Sequence, residues 1–186
     1  LVRPNVALDT SAIAAIEPAG VRLSDGRLVE LDVLVYATGF RPMDVLAGVD
    51  IAGHGGARLA DRWRTRPTTA NGVAVPGFPN LFFLLGPNTA LGHNSVLYMI
   101  ESQARHVARL IGEVGTSGKR QVEATAAAET AFVRDVDGAF PGTAWAGGCK
   151  SWYLDAQGNN IALWVGPSLA YRWRLHRARR RDYRVD

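Results

Sequence analysis

The chain has 186 residues, 47% hydrophobic and 20% charged, enough to bury a sizeable core as a domain of ordinary size. No apolar run approaches a membrane span and no signal-like start is present, so a soluble protein in a cytoplasmic setting is expected. The net charge of +4 is uneven: from Tyr171 to Asp186 seven arginines stand against Asp182 and Asp186, so this stretch carries +5 and the remainder −1.

That tail reads as a solvated basic terminus, and because the rest of the chain is not basic, neither nucleic acid nor a membrane is expected as a partner. The single cysteine, Cys149, excludes an intrachain disulfide, and no Cys/His spacing resembles a metal site. A chain that opens on Leu1 rather than Met is compatible with a fragment or a processed product.

In chain order, Ser11 to Ile16 is a strand candidate. Gly20 to Ser24 and Arg27 to Leu31 flank Asp25-Gly26, a hairpin signal because glycine accepts the positive φ of a tight turn. Together these predict a small β-meander. Val33-Leu34-Val35-Tyr36 reads as a strand buried on both faces. It stops at Ala37-Thr38-Gly39, where small residues either let backbone approach a flat or phosphorylated ligand or simply end the strand in a turn. Phe40 to Phe78 is rich in Gly, Pro and Arg without a sustained period, and reads as a long surface excursion with short strands, Gly72 to Val75 among them. Within it Gly53-His54-Gly55-Gly56 is a turn rather than a dinucleotide loop, since no strand precedes it and no helix follows; His54 is a surface residue.

Pro79 to Val114 is the stretch around which the chain is organised. Leu81 to Leu85 is an apolar run that predicts a short strand buried on both faces. From Val96 a long helix is predicted, with Ile100, Val107 and Ile111 on its apolar face and Ser102, Arg105 and Arg109 opposite. Glu101 and Arg105 form a favourable i,i+4 pair. The polar loop between them, Asn88 to Ser95, is richer in hydrogen-bonding groups than a connection requires. It precedes a helix N-terminus, whose unpaired N–H groups favour an electron-rich ligand. Val122 to Val136 predicts a second helix packed on the first, and Pro141 to Gly148 a loop. Asp155-Ala156-Gln157-Gly158 predicts a turn between two extended, aromatic-bearing segments.

Three of these stretches carry a family resemblance. Asp32-Val33-Leu34-Val35-Tyr36-Ala37-Thr38-Gly39-Phe40 resembles the ATG-type segment of class B flavoprotein monooxygenases, the flavin-containing and Baeyer–Villiger monooxygenases. Gly86-Pro87-Asn88-Thr89, Gly92-His93-Asn94-Ser95-Val96 and Met99-Ile100-Glu101-Ser102-Gln103 resemble that family's flavin-side loop and helix. Lys150-Ser151-Trp152-Tyr153 and Gly158-Asn159-Asn160 resemble its C-terminal segment.

The resemblance implies an α/β fold: the C-terminal part of a split Rossmann-like FAD-binding domain, with a β-meander and a long central helix. It implies that residues 1–40 hold the meander and the return strand to the FAD domain, and 41–186 the rest of that part with a substrate-side segment. It places Thr38, Gly39, Asn88, Thr89, His93, Asn94 and Ser95 at the flavin, with His93 either a proton donor or structural, and Trp152 and Tyr153 on the substrate or nicotinamide side. The implied cofactors are FAD and NADPH. The implied reaction is oxygenation of a ketone or soft nucleophile by O2 through a peroxyflavin, with the Baeyer–Villiger reaction of a ketone favoured; a related oxidoreductase without oxygen insertion, or a non-catalytic remnant module, are the alternatives. No G-x-G-x-x-G follows a strand anywhere in the chain, so neither dinucleotide cradle is present. The expected whole is a longer monooxygenase, of which this part alone is inactive.

Overall fold

Asp25-Gly26 does turn the chain, with Gly26 at φ 90°. In the computed structural model, which describes residues 3–39, 46, 48–148, 151–178 and 182–186, strands β1 (Ile13–Glu17), β2 (Gly20–Leu23) and β3 (Leu28–Glu30) form an antiparallel sheet in that order. Val21 pairs with Ile16 on one side and Val29 on the other. Val21 and Leu23 of the central strand are buried. This meander belongs to the first of two compact units, Leu1–Phe40 and Arg41–Asp186.

The strand expected at Val33 to Tyr36 does not form. These residues belong to no strand or bridge, and Val33, Val35 and Tyr36 are 76%, 79% and 69% exposed. A strand buried on both faces needs neighbouring strands and covering helices, and the described residues of this unit provide only the meander. Phe40, the last residue of that motif, lies outside the described residues, as does Lys150.

In the second unit the stretch read as a surface excursion holds part of the core. A 3-10 turn at His54–Gly56 and the short helix α1 (Leu59–Arg62) lead into residues 70–78. There Ala70, Val73, Ala74, Val75 and Phe78 are all at most 3% exposed. Asn71 and Gly72, at φ 56° and 72°, reverse the chain so that Ala70 bridges Ala74, and Ala74 in turn bridges Phe82. A buried segment folded through such turns is apolar on every side, so it shows no period in sequence. His54 is exposed, as expected, and its Nε2 lies 2.8 Å from Glu123 Oε2.

Residues 81–85 form no strand beyond that bridge, and Leu84 and Leu85 are 53% and 40% exposed. Helix α2 (Val96–Ser117) begins where the periodicity places it and ends on left-handed Gly118. Its buried stripe is rotated from the expected one: Met99, Ser102, Gln103, His106 and Leu110 face inward, while Ile111 is 57% exposed. Polar groups occupy the inner face because each finds a partner there. Ser102 Oγ donates to the Tyr98 carbonyl at 2.7 Å. Glu101 and Arg105 stand 3.8 Å apart on the outside.

Val122 to Val136 is not one helix. Val122–Ala124 is strand β4, then Thr125 caps helix α3 (Ala126–Ala139) by accepting from the Ala128 N–H. The supposed solvated tail is also structured: helix α4 (Ser168–Arg177) and strand β5 (Tyr183–Val185), which pairs antiparallel with β4. Tyr171 and Leu175, one turn apart on α4, join Val73, Met99, Phe132 and Val136 in one core cluster. Leu110, Val122, Ala128 and Tyr183 join Ala70 and Ala74 in another. The principal helical neighbour of α2 is thus α4, with α3 sharing its core. The arginines at 179–181 lie outside the described residues. Among the described residues no helix is long and apolar enough to cross a membrane.

His106 joins α2 to β5. Its Nδ1 lies 2.9 Å from Arg109, which can only donate, so Nε2 carries the hydrogen and donates to Tyr183 Oη at 2.8 Å. Burial, reinforced by the Arg109 charge, lowers its pKa from 6.5 to about 4. A folded-state pKa below the unfolded value gives stability that is complete above pH 6.5 and is lost as pH falls through 4. The expected loss across that window is roughly 3 kcal/mol. Urea unfolding at a series of pH values should show it, and His106→Gln should flatten that slope; an unchanged slope would remove His106 from the account.

Candidate active site

The polar loop is built against a second segment. Asn88 N–H donates to the Ile161 carbonyl at 3.2 Å, Ala90 N–H to Ala162 at 2.9 Å, and Trp164 N–H back to Ala90 at 2.9 Å. Asn160, 2% exposed, is the hub. Its carbonyl accepts from Asn88 Nδ2 at 2.8 Å and from Arg66 at 3.1 Å, while its side chain bonds both backbone groups of Leu163. The turn before it forms as expected: Asp155 Oδ1 accepts from the N–H groups of Gln157 and Asn159, and Leu154 bridges Asn160.

The expected cofactor residues fall into three groups. Asn88 and Thr89 are buried, at 1% and 0% exposure, and their side chains are engaged inside the protein, Thr89 Oγ1 donating to the Gly86 carbonyl at 2.6 Å. His93, Asn94 and Ser95 are exposed ahead of α2 and tie it to the start of α4: His93 Nε2 lies 3.2 Å from the Gly166 carbonyl and Asn94 Nδ2 donates to Ser168 Oγ at 2.8 Å. Ser95 holds the N-cap position without a side-chain cap bond, so the first turn of α2 has no capping side chain. Thr38 and Gly39 lie exposed in the first unit, with Gly39 at φ 88°.

Trp152 and Tyr153 belong to an aromatic group. Tyr153 stands edge-on to both Trp145 and Trp152, at 5.8 Å in each case, and its hydroxyl donates to the Trp145 carbonyl at 3.2 Å. Trp152 is 53% exposed. It looks onto an apolar cleft of about 390 Å3 walled by Trp63, Phe83, Leu85, Pro87 and Ile161, a volume within the usual ~300–1,000 Å3 of small-molecule sites. Of the expected site residues only Trp152 lines it.

The sequence reading missed the cleft's other wall. Residues 83–87 form a strap pinned from behind by Gln103: Leu85, at φ 61°, donates its N–H to Gln103 Oε1 at 2.7 Å. Gln103 Nε2 donates to Tyr171 Oη at 2.8 Å, and that hydroxyl donates to the Asn71 carbonyl at 2.6 Å. The usable signal was a glutamine on the apolar side of a long helix. Burial pushes the Tyr171 pKa far up, so it stays a neutral donor.

The fold and site together define a mixed helix-and-strand framework carrying an aromatic-walled cleft of cofactor or substrate size, and the comparisons with known proteins make this specific. No family model matches the chain. It is 36% identical over 177 residues to a Baeyer–Villiger monooxygenase of Pseudomonas aeruginosa, covering 94% of this chain and 33% of that protein. It is 33% identical to a Baeyer–Villiger monooxygenase of Streptomyces coelicolor, covering 100% of this chain and 36% of that one. In three dimensions it matches cyclohexanone monooxygenase from Rhodococcus sp. Phi1 bound to NADP+ with TM-score 0.84 and 28% identity, over 100% of this chain and 36% of that chain. A closed structure of cyclohexanone monooxygenase gives TM-score 0.83 and 31% identity, over 99% and 36%. The chain belongs to the flavin-dependent Baeyer–Villiger monooxygenase family. It spans about a third of the length of the curated relatives it matches.

Proposed function

We propose that this chain forms the flavin- and substrate-facing part of a cytoplasmic, NADPH- and FAD-dependent monooxygenase that converts a ketone to an ester or lactone with O2, and that it completes a split Rossmann-like FAD-binding domain. The observation that carries this reading is the apolar cleft between the 83–87 strap, Ile161 and Trp152, in a chain that matches NADP-bound cyclohexanone monooxygenase along its whole length.

The residues present fit a flat ring system but not a whole dinucleotide. Trp63 and Phe83 lie 5.1 Å apart at the cleft wall, and Gly86 and Pro87 give it a side with no polar side chain. Pyrophosphate, by contrast, wants a glycine-rich cradle at a helix N-terminus, and the sequence has none. FAD, when bound, supplies the redox and oxygen-transfer chemistry. The chain's own part is to shape and dry the cleft. Asn88 and Thr89 hold the loop in its form, and His93, Asn94 and Ser95 present the uncapped first turn of α2, whose N–H groups and dipole favour negative charge. For Thr38 and Gly39 a cofactor role is proposed on the family resemblance of their segment. Trp152 and Tyr153 bound the substrate.

The test is made with the full-length protein supplied with FAD, NADPH, 18O2 and a cyclic ketone. The expected product is a lactone carrying one 18O atom, with NADPH consumed in step. NADPH consumption that yields only hydrogen peroxide would favour the oxidoreductase without oxygen insertion. The 186-residue chain alone, given FAD, should oxidise NADPH no faster than free flavin does, because it lacks both phosphate cradles; a rate clearly above that background would overturn the division of labour.

A further inference from the structure

Helices α2 and α4 set three arginines around one cavity. Arg105 and Arg109 come from α2, Arg172 and His176 from α4, and Ser102 completes a space of about 150 Å3. That is room enough for one small oxyanion.

The walls are set in advance. Arg109 donates to the carbonyls of Leu175 at 3.1 Å, His176 at 3.3 Å and Ala178 at 3.2 Å, which fixes it as a cap on the last turn of α4. Arg172 lies over the Tyr98 ring, 5.6 Å from its centroid. Neither carbonyls nor a ring face neutralise a guanidinium. Arg22, Arg27, Arg62, Arg66 and Arg174, by contrast, each have a carboxylate partner within 2.8 Å. Among the described residues no ion pair joins Arg109 or Arg172 to a carboxylate, and Arg109 also bonds His106. Glu101 stands 3.8 Å from Arg105 with both side chains about two-thirds exposed, a pairing too loose and too wet to cancel the charge.

A concave surface lined by one sign of charge concentrates the opposite ion, and the guanidinium fork matches phosphate oxygens two at a time. We propose that this cleft between α2 and α4 binds a phosphate-class oxyanion, free or carried on a nucleotide, with Arg105 and Arg172 as its donors and Arg109 as a fixed charge behind them.

The experiment is calorimetric titration of the full-length protein with inorganic phosphate, exchanged against chloride at constant ionic strength. Arg105→Gln and Arg172→Gln should each weaken binding about tenfold, the loss of a charge-assisted bond. Arg172→Lys should recover part of it. Glu101→Gln should act in the opposite direction and tighten binding, a result no general loss of folding can imitate. With AMP as a second probe, tighter binding through the same two arginines identifies a nucleotide source, and equal binding a free anion. No heat beyond the chloride control would overturn the proposal. So would phosphate binding that neither glutamine variant changes.

Discussion

Gln103→Leu is expected to destabilise the protein by about 2–4 kcal/mol and to cost it most of its bound flavin. The volume is nearly conserved, so the loss comes from hydrogen bonds. Leu85 N–H loses its acceptor and Tyr171 Oη loses a donor, and each broken buried bond that strands a partner costs ~1–3 kcal/mol. The strap then loses what holds Leu85 at φ 61°, a conformation that leucine rarely adopts. Chemical unfolding gives the stability, and flavin absorbance after gel filtration gives the retention. Tyr171→Phe breaks the same chain at its next link, so the double variant should cost clearly less than the two singles together. Strict additivity would show that Gln103 and Tyr171 are independent core residues rather than one support.

The distinction between Gln103 and its neighbours shows where sequence reading reaches its limit. Periodicity placed the start of α2 at Val96, because a helix's first turn follows from local signals. It misjudged the buried stripe, since Ser102 and His106 are polar by type but are satisfied inside, and Ile111 is apolar but faces out. Whether a polar side chain can be buried depends on a partner tens of residues away: Tyr183 for His106, Tyr171 for Gln103. Strand β4 was hidden for the same reason. Three residues beside an alanine-rich helix carry no strand signal of their own, and their identity comes from β5, some sixty residues later. In the tail, the arginines set the average, while Tyr171 and Leu175, four apart, set the fold.

For the candidate site, the family resemblance marked the loop and the tryptophan, and the geometry adds what holds the loop in place. Asn88 and Thr89 are internal braces. The walls of the cleft come from an apolar run that resembles a strand in sequence, and only the left-handed turn at Leu85 makes it a strap. Val33 to Tyr36 poses the converse case: its apolar pattern is that of a doubly covered strand, and the described residues of its unit do not supply the cover.

Gly86 gives the second large effect. A Cβ built there would lie 2.4 Å from the Gly72 carbonyl oxygen and 2.9 Å from Phe83 Cβ. The first of these neighbours is backbone, held by the left-handed turn at Asn71 and Gly72 beneath the strap, so it cannot swing aside as a long side chain would. Overpacking of this kind costs ~1–3 kcal/mol, occasionally more. The strap can lower that cost only by lifting Phe83 to Pro87 away from residue 72, which moves the cleft wall. Gly86→Ala should therefore lose flavin, or in a variant that retains it raise the KM for ketone severalfold, out of proportion to its loss of stability. Gly112→Ala is the matched control: it lies exposed in α2 with nothing within 4 Å of the new Cβ, and should stabilise by ~0.5–1 kcal/mol with no effect on flavin. Equal flavin content and KM in wild type and Gly86→Ala, at a lower unfolding midpoint, would make residue 86 a packing position and would detach the strap from the site.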